Sequence, residues 1–297
     1  MFTTEERRNY IGGSDIAAVM GLSRWKTPLK LWLEKIGEVE PDDLSKIEAV
    51  QLGTELEEFV AQKFARENKK QVRKQSKMYR HRKYPYMVAH VDRLITNSDE
   101  LLECKTCGIH KKEEWEGDEI PNEYILQVIW YLGITGRKRG YIAVLIGGQT
   151  FKSKPIDFDK ELFDTMVEMA KEFWNHVKTK TPPPVSPSDN EVILKMFPTH
   201  NEEFVENQEI ETKIAQLQKV KSNISVLEEE KEVLELDLKN AISNHIGILT
   251  EKYKVTWKAQ STNKVSVEKL KADGIYEKYL DKSSTRVLRI TANKKAA

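Results

Sequence analysis

The sequence predicts an α+β fold (α/β) followed by a long C-terminal helix, and three observations support this prediction. Helix and strand patterns alternate over roughly the first 180 residues. The string TPPPVSP at 181–187 can sustain neither a helix nor an inner strand. An apolar heptad repeat then continues to residue 245. We therefore expect a mixed helix–strand domain at 1–185, a linker and coiled-coil helix at 186–247, and a small α/β module at 248–297.

The elements of the first domain follow from apolar periodicity and from local start and stop signals. Thr27 before Pro28 is typical of a capped helix, so a helix is predicted over 26–36. The turn Asn97-Ser98-Asp99 predicts a hairpin between strands at 86–95 and 101–106. The other predicted elements are a helix at 53–67 with Leu56, Phe59, Val60 and Phe64 on one face, a helix from Pro121, a hairpin around Gly147-Gly148, and a helix from Asp159 to Val177.

The second predicted region is a helix over about 201–246. Alternating steps of three and four give the seam Leu217, Val220, Ile224, Leu227, Lys231, Leu234, Leu238, Ala241 and His245. Such a seam suits a coiled coil with a second copy or with another helix of the same chain. In the third region we expect a strand through Tyr253, Val255 and Trp257, a helix near 266–280, and a closing strand at VLRI, residues 287–290.

The composition indicates the cellular compartment of the protein but says little about its partners. Lys and Arg (48) nearly balance Asp and Glu (47), so a nucleic-acid surface would have to be a local patch. The longest purely apolar run, Tyr141 to Ile146, is too short to cross a bilayer, and MFTTEERRNY lacks the apolar core of a signal peptide. With only two cysteines, we expect a cytoplasmic protein without a membrane partner.

The stretch AHVDRLITNSDELLECKTC, residues 89–107, gathers charged residues on one hairpin. Alternate strand residues share a face, so Glu103 and Lys105 point the same way, and Asp92 can lie opposite Glu103. Two carboxylates beside an amine suit Mg²⁺ or Mn²⁺, which can polarise a phosphodiester and acidify a bound water. The alternative is a surface hairpin with an ordinary cross-strand ion pair.

The Cys104-x-x-Cys107 pair is a weaker signal on the same hairpin. Cys104 should face away from the carboxylates, and no second cysteine pair completes a four-cysteine zinc site. His110 is near, but a fourth ligand is not evident in the sequence. We therefore expect buried or incidental thiols.

Two further segments favour anion binding. In IGGSD, residues 11–15, Ser14 is expected to be the N-cap of a helix whose amides could cradle an anion, with Arg7 closing on it; plain helix capping is the alternative. The segment 69–83 contains eight Lys or Arg and no acidic residue, which suits phosphate contacts through Lys69, Lys70, Arg73, Lys74 and Lys77. A solvated strand edge would account for the same pattern.

Five motifs together resemble the YqaJ-like viral recombinases. These are R-x6-S within IGGSD, GTELEEF, HVDRL, LLECK and IPNEYILQVIWYLGITG, and they cover roughly residues 5–180. That family belongs with the phage lambda-type exonucleases in the PD-(D/E)xK nuclease superfamily. The resemblance implies a nuclease core with a mixed central sheet flanked by helices. It also implies Mg²⁺-dependent 5′→3′ digestion of linear duplex DNA, leaving 3′ single strands for annealing, in a phage- or prophage-encoded enzyme of a bacterial host.

The resemblance also implies roles for particular residues. Asp92, Glu103 and the Cys104 backbone carbonyl are expected to bind the metal, and Lys105 to position the attacking water. In the G-x-x-L-E pattern Glu57 is the expected further carboxylate, with Glu55 and Glu58 as alternatives. The expected DNA-contacting and supporting residues are Gln127 as the active-site glutamine, Tyr131 as a DNA contact, and Arg7 and Ser14 as ligands of the 5′-terminal phosphate. Simple packing is the alternative for Gln127 and Tyr131.

The resemblance implies partners as well. Lambda-type exonucleases form trimeric rings around DNA, so a homo-oligomer, a trimer by resemblance, is expected, although the C-terminal region lies beyond the minimal core. That region could instead dock a single-strand annealing recombinase protein. Two other interpretations stay open: an endonuclease of the same superfamily, restriction- or resolvase-like, and a non-catalytic DNA-binding scaffold built around the coiled coil.

Overall fold

The computed structural model describes residues 4–281 and 287–291. Contacts within the chain divide it into two units, Met1–Met196 and Phe197–Ala297. The first unit contains helices α1 (Thr4–Arg8), α2 (Gly13–Val19), α3 (Pro28–Ile36), α4 (Glu48–Asn68), α5 (Asn122–Thr135), α6 (Lys160–Thr179) and α7 (Asn190–Met196). Its strands are β1 (Val72–Lys74), β2 (Tyr79–Arg80), β3 (Val88–Ala89), β4 (Arg93–Ile95), β5 (Glu100–Cys107), β6 (Arg139–Ile146) and β7 (Thr150–Asp157).

A five-stranded sheet in the order β1-β4-β5-β6-β7 forms the centre of the first unit. The β5–β6 pair is parallel and the other pairs are antiparallel, so the sheet is mixed. Val60 and Phe64 of α4 pack against Leu102 and Ala143 on one face. The other face carries α2, α3, α5 and α6. The predicted fold class, a mixed sheet flanked by helices, is confirmed.

The helices of this unit begin and end where local chemistry indicates. Thr27 accepts a 3.1 Å hydrogen bond from the Lys30 amide at the start of α3, and Asp159 caps α6 in the same way. Helix α4 begins five residues earlier than predicted, and Phe59 on it is exposed rather than part of the buried face. In the ranges 4–281 and 287–291, no helix is both long and apolar enough to cross a membrane.

The predicted strand at 86–95 is divided into two short strands. β3 pairs with β2 in a separate two-stranded sheet, whereas β4 pairs with β1 and β5. Residues 90–92 between them leave the ladder. The break leaves Asp92 just before the start of β4.

The second unit contains α8 (Glu211–Ile242), β8 (Gly247–Leu249), β9 (Lys254–Thr256) and α9 (Val267–Ala272). Helix α8 is shorter than predicted at both ends, so His245 lies outside it. The predicted helix over 266–280 stops at Ala272 because Gly274 takes a left-handed φ of 69°, and a 3₁₀ turn follows. The predicted strand VLRI is wrong: residues 287–290 have no regular structure, and β8 and β9 pair only with each other among the described residues.

Candidate active site

Asp92 and Glu103 lie side by side at the β4–β5 hairpin. The register pairs Arg93 with Leu102, and Asp92 and Glu103 are the residues that follow this last pair on the two sides of the hairpin. Asp92 Oδ2 accepts a 2.9 Å hydrogen bond from the backbone amide of Cys104, which fixes this carboxylate against β5. The predicted convergence of the two carboxylates is therefore present.

The Glu103 carboxylate is bound asymmetrically and is only 2% exposed. Its Oε1 accepts hydrogen bonds from Lys105 Nζ at 2.6 Å and from Gln127 Nε2 at 2.8 Å. Its Oε2 is buried and has no hydrogen-bond partner in the part of the chain that the structure describes. A buried carboxylate oxygen without a donor is costly, so Glu103 Oε2 is an acceptor that a bound cation could satisfy.

The charged groups of the hairpin shift one another's protonation. Burial, followed by the charge of Glu103, raises the pKa of Asp92 well above its ordinary value. Burial alone would lower the pKa of Lys105, but the charges of Glu103 and Asp92 outweigh it and raise that pKa. Lys105 is thus a permanent cation near neutral pH, suited to stabilising negative charge rather than accepting a proton.

Glu57 is linked to Asp92 by a buried arginine that was not predicted to be part of the site. A Cβ on Gly53 would lie 3.1 Å from Thr106 Oγ1, so this glycine lets α4 pass close to β5. Arg93, only 2% exposed, donates to Glu57 Oε1 at 2.5 Å and to Glu58 Oε2 at 2.9 Å. The Arg that follows Asp in the HVDRL motif was the available signal for this buried cation.

The expected metal ligand Glu57 is therefore engaged by Arg93 in this structure. Glu58 shares that arginine, and Glu55 is exposed on the same helix. No three side chains of His, Cys, Asp and Glu among residues 4–281 and 287–291 form a preformed metal-binding cluster. The pair of Asp92 and Glu103 is what the structure brings together.

Helix α5 supplies the predicted glutamine and a buried tyrosine. Gln127 Nε2 lies 2.8 Å from Glu103 and 2.9 Å from the hydroxyl of Tyr131, which is only 4% exposed. Tyr131 is buried where α5 packs against α2, so in this structure its ring offers little surface for the expected DNA contact and fits the packing alternative. Tyr131 instead orients Gln127.

Two aromatic rings lie beside Lys105, and the sequence did not indicate this contact. Lys105 Nζ lies 5.3 Å from the centre of the Tyr124 ring, which stacks on Trp115 at 5.6 Å. The Trp115 carbonyl accepts from Lys152 at 2.7 Å and from Lys154 at 3.0 Å. These two lysines of β7 hold the segment that contains Trp115.

The predicted phosphate cradle at the start of α2 has a different N-cap residue from the one expected. Helix α2 begins at Gly13 and Gly12 is its N-cap, so Ser14 lies inside the first turn and is not the cap. Gly12 N–H donates to Asp15 Oδ2 at 3.1 Å, and Lys35 Nζ holds the same oxygen at 2.9 Å. Ser14 is exposed at the start of this turn.

Arg7 is held next to this helix start through its main chain. Lys35, only 8% exposed, donates from Nζ to the Arg7 carbonyl at 2.8 Å as well as to Asp15. The Arg7 side chain is exposed. A Cβ on Gly13 would lie 2.3 Å from the Tyr131 ring, so the helix start also touches the aromatic support of Gln127.

The predicted DNA-binding cations lie around the edge strand β1. Lys69, Arg73, Lys74 and Lys77 are exposed. Lys70 differs, because it pairs with Glu100 at 2.5 Å and lies 5.0 Å from the Tyr141 ring. Four of the five expected cations are thus accessible to an anion.

The two cysteines are free thiols, as expected. Cys104 packs with Val60 and Phe64 on the sheet face opposite Lys105, and burial raises its pKa. A protonated, buried thiol is neither a nucleophile nor a metal ligand.

Comparison with known proteins identifies the family of the chain. The YqaJ-like viral recombinase domain matches residues 4–138. Protein YqaJ of Bacillus subtilis (strain 168) is 37% identical over 285 residues, which cover 92% of this chain and 88% of that protein. The chain belongs to the YqaJ-like viral recombinase family.

Solved structures resemble this YqaJ-like recombinase in fold. An alkaline exonuclease (LHK-Exo) from Laribacter hongkongensis superposes with a TM-score of 0.50 at 19% identity, covering 59% of this chain and 91% of that one. Its complex with dAMP superposes with a TM-score of 0.50 at 20% identity, covering 60% and 92%. The predicted family and its nuclease-type fold are confirmed for this YqaJ-like chain.

Proposed function

We propose that the protein is a Mg²⁺-dependent 5′→3′ exonuclease of double-stranded DNA that serves phage or prophage recombination. The observation that carries the proposal is the buried Glu103 Oε2, which has no hydrogen-bond partner among the described residues and lies beside Asp92 and the cationic Lys105. The alkaline exonuclease that shares the fold, and its dAMP complex, support the same class of substrate.

The donors present fit a hard divalent cation. Asp92 and Glu103 carry two negative charges against the single positive charge of Lys105, and oxygen ligands are those that Mg²⁺ or Mn²⁺ prefers. The N–H and C=O of one strand residue point to the same side, so the Cys104 carbonyl projects toward Asp92, to which its amide donates. When bound, the cation would polarise the phosphodiester and acidify a water.

The residues around this pair have separate tasks in the proposal. Lys105 orients the attacking oxygen and stabilises the negative charge that develops on the phosphate. Gln127 holds the Glu103 carboxylate, and Glu57 keeps Arg93 against the Asp92 carbonyl, which accepts from Arg93 at 2.9 Å. These contacts preorganise the carboxylates before DNA arrives.

DNA binding is proposed to use two sites, the start of α2 and the surroundings of the edge strand β1. Arg7 and Ser14 would grip the 5′-terminal phosphate at the start of α2, where backbone amides and the helix dipole favour an anion. Lys69, Arg73, Lys74 and Lys77 would contact backbone phosphates, which carry no sequence information. An enzyme that digests any sequence needs contacts of this kind.

The decisive experiment compares linear and covalently closed duplex DNA, with and without Mg²⁺. We expect digestion of linear DNA only, dependent on Mg²⁺ and faster from 5′-phosphorylated ends. Cleavage of closed circles would instead establish an endonuclease. Lys105→Ala should bind DNA normally without cutting it, whereas Lys138→Ala, an exposed lysine just before β6, should keep cutting.

The 5′-phosphate site has its own test. Arg7→Ala should remove the preference for 5′-phosphorylated over 5′-hydroxyl ends while leaving the metal requirement intact. Arg66→Ala, an exposed arginine at the end of α4, is the matched control. An unchanged preference in Arg7→Ala would remove that residue from the site.

The biological setting is also part of the proposal. We propose a cytoplasmic enzyme that acts as a homo-oligomer and passes its 3′ single strands to a single-strand annealing protein. Membership of a viral recombinase family supports this setting. Co-purification of such an annealing protein with the full chain, lost on deletion of residues 197–297, would support docking through the second unit.

A further inference from the structure

Helix α8 carries an apolar seam that is largely exposed among residues 4–281 and 287–291. Among the seam residues, Val220, Ile224, Leu227, Leu234 and Leu238 are 46–62% exposed. They recur with the alternating steps of three and four that define core positions a and d of a coiled coil. Val226, Val233 and Leu236 are exposed too, but they lie outside this repeat.

We propose that α8 pairs with α8 of a second copy of this chain, and that the two helices run antiparallel. The other helices of 20 residues or more, α4 and α6, bury their own apolar faces in the first unit. The seam of α8 is 32 residues of regular helix, long enough for more than three heptads. A second α8 offers a surface of matching length and period.

A parallel pair would bring like charges together. In that orientation each seam residue faces its own copy, so Lys231 would face Lys231 across the core. The flanking positions g and e of successive heptads also meet, which would place Glu230 against Glu235 on both sides. Both contacts oppose association.

An antiparallel pair replaces these contacts with better ones. The seam then closes through the layers Leu217–Ala241, Val220–Leu238, Ile224–Leu234 and Leu227–Lys231, each formed twice. At the centre, Glu228 and Glu230 of both copies surround the two Lys231 side chains, so lysine faces carboxylate instead of lysine. Position e now faces position e and position g faces position g, which pairs Lys221 with Glu235 at both ends of the contact. The same rule brings Glu228 to Glu228 and Glu230 to Glu230 at the centre, where the two Lys231 ammonium groups offset part of the repulsion.

The consequence is a dimer that joins two first units through their C-terminal helices. Burial of the seam would remove its apolar side chains from water, which is the main driving force for such association. This pairing does not depend on nuclease activity, and it goes beyond the oligomer expected from the family resemblance because it assigns the helix, its orientation and its charge contacts.

Charge reversal distinguishes the two orientations because the predicted effects have opposite signs. In the antiparallel pair Glu235→Lys places a second ammonium against Lys221, so the dissociation constant of the full chain should rise about three- to thirty-fold. Lys221→Glu should weaken association similarly. The double variant should restore it. In a parallel pair Glu235→Lys would relieve repulsion with Glu230 and tighten association.

Sedimentation equilibrium of the full-length chain over a range of concentrations provides the measurement. Glu235 also lies 3.6 Å from Lys239 on the same helix, so its reversal could weaken α8 locally. Rescue by Lys221→Glu excludes that explanation, because residues 221 and 235 are about 21 Å apart along one helix. Glu229→Lys, on the outward face, is the control with the same charge change and should associate as the wild type does.

Three results would overturn the proposal. The first is a wild-type chain that stays monomeric at all concentrations, and the second is tighter association of Glu235→Lys. The third is equal association of the wild type, the two single variants Glu235→Lys and Lys221→Glu, and the double variant. The last result would mean that any oligomer is held by surfaces other than α8.

Discussion

Gln127 Nε2 donates a 2.8 Å hydrogen bond to Glu103 Oε1. Lys105 Nζ donates to the same oxygen at 2.6 Å. Both donors therefore bind Oε1, and Oε2 has no partner among the described residues. The amide is held in turn by the hydroxyl of the buried Tyr131 at 2.9 Å. The orientation of the proposed metal ligand is therefore set from helix α5.

Gln127→Leu should lower kcat for digestion of linear DNA about 10- to 100-fold, the range typical of residues that orient a metal ligand. The KM for DNA should change little, because Gln127 is buried and touches no surface. Steady-state kinetics on 5′-phosphorylated duplex separates the two constants. Gln149→Leu, in the exposed turn after β6, is the control, and an unchanged kcat for Gln127→Leu would deny it a positioning role.

Asp92→Asn should stabilise the metal-free protein by about 1 kcal/mol while reducing cleavage to less than about 1%. The reason is that burial and the charge of Glu103 disfavour the ionised Asp92, and an amide keeps the acceptor for the Cys104 amide. Mg²⁺ should raise the Tm of the wild type and not of the variant. Asp99→Asn, 94% exposed on the same hairpin, is the control. Equal Mg²⁺ stabilisation of Asp92→Asn would show that Asp92 is not a ligand.

The sequence predicts the face that carries the candidate site because strand alternation is a local rule. Two residues of β5 two positions apart must share a face, so the common side of Glu103 and Lys105 follows from spacing. The turn brings Asp92 near them, but the Cys104 amide that holds its carboxylate is a contact of the folded hairpin. The helix α8 and its seam also follow from spacing, through the heptad. Neither the common side of Glu103 and Lys105 nor the seam needs knowledge of which elements meet in space.

The features that the sequence missed depend on contacts between distant elements. Glu57 is taken by Arg93 because α4 passes close to β5 at Gly53, and no local pattern encodes that approach. Tyr131 is buried because α2 packs on a face of α5 that looked polar. The strand at 287–290 failed for a related reason, since β propensity produces a strand only where another strand offers a ladder.

Gly13→Ala should destabilise the first unit by about 1–3 kcal/mol and lower nuclease activity together. Its new Cβ would lie 2.3 Å from Tyr131 Cε1, and the ring cannot move without releasing Gln127. Gly12→Ala is the matched control, because there the Cβ meets its nearest atom at an ordinary 3.8 Å. Urea unfolding and digestion of linear DNA supply the two readouts. Equal behaviour of both variants would mean that the contact between α2 and Tyr131 is dispensable.

Asp15→Asn should cost about 2–4 kcal/mol at pH 7, because it leaves the buried Lys35 ammonium without a carboxylate. Burial alone would raise the pKa of Asp15, but Lys35 and the Gly12 amide outweigh it and lower that pKa below 3.8.

The sign of the pH dependence follows from that lowered pKa. The ionised Asp15 stabilises the fold above the unfolded pKa, and this contribution is lost as pH falls through the lower folded value. The difference in unfolding free energy between wild type and Asp15→Asn should therefore be constant from pH 7 to about pH 5 and shrink below about pH 4. Urea unfolding across this range measures it, with the exposed Asp164→Asn as control. A difference that persists undiminished at pH 3 would mean that the Asp15 charge is not what holds the start of α2.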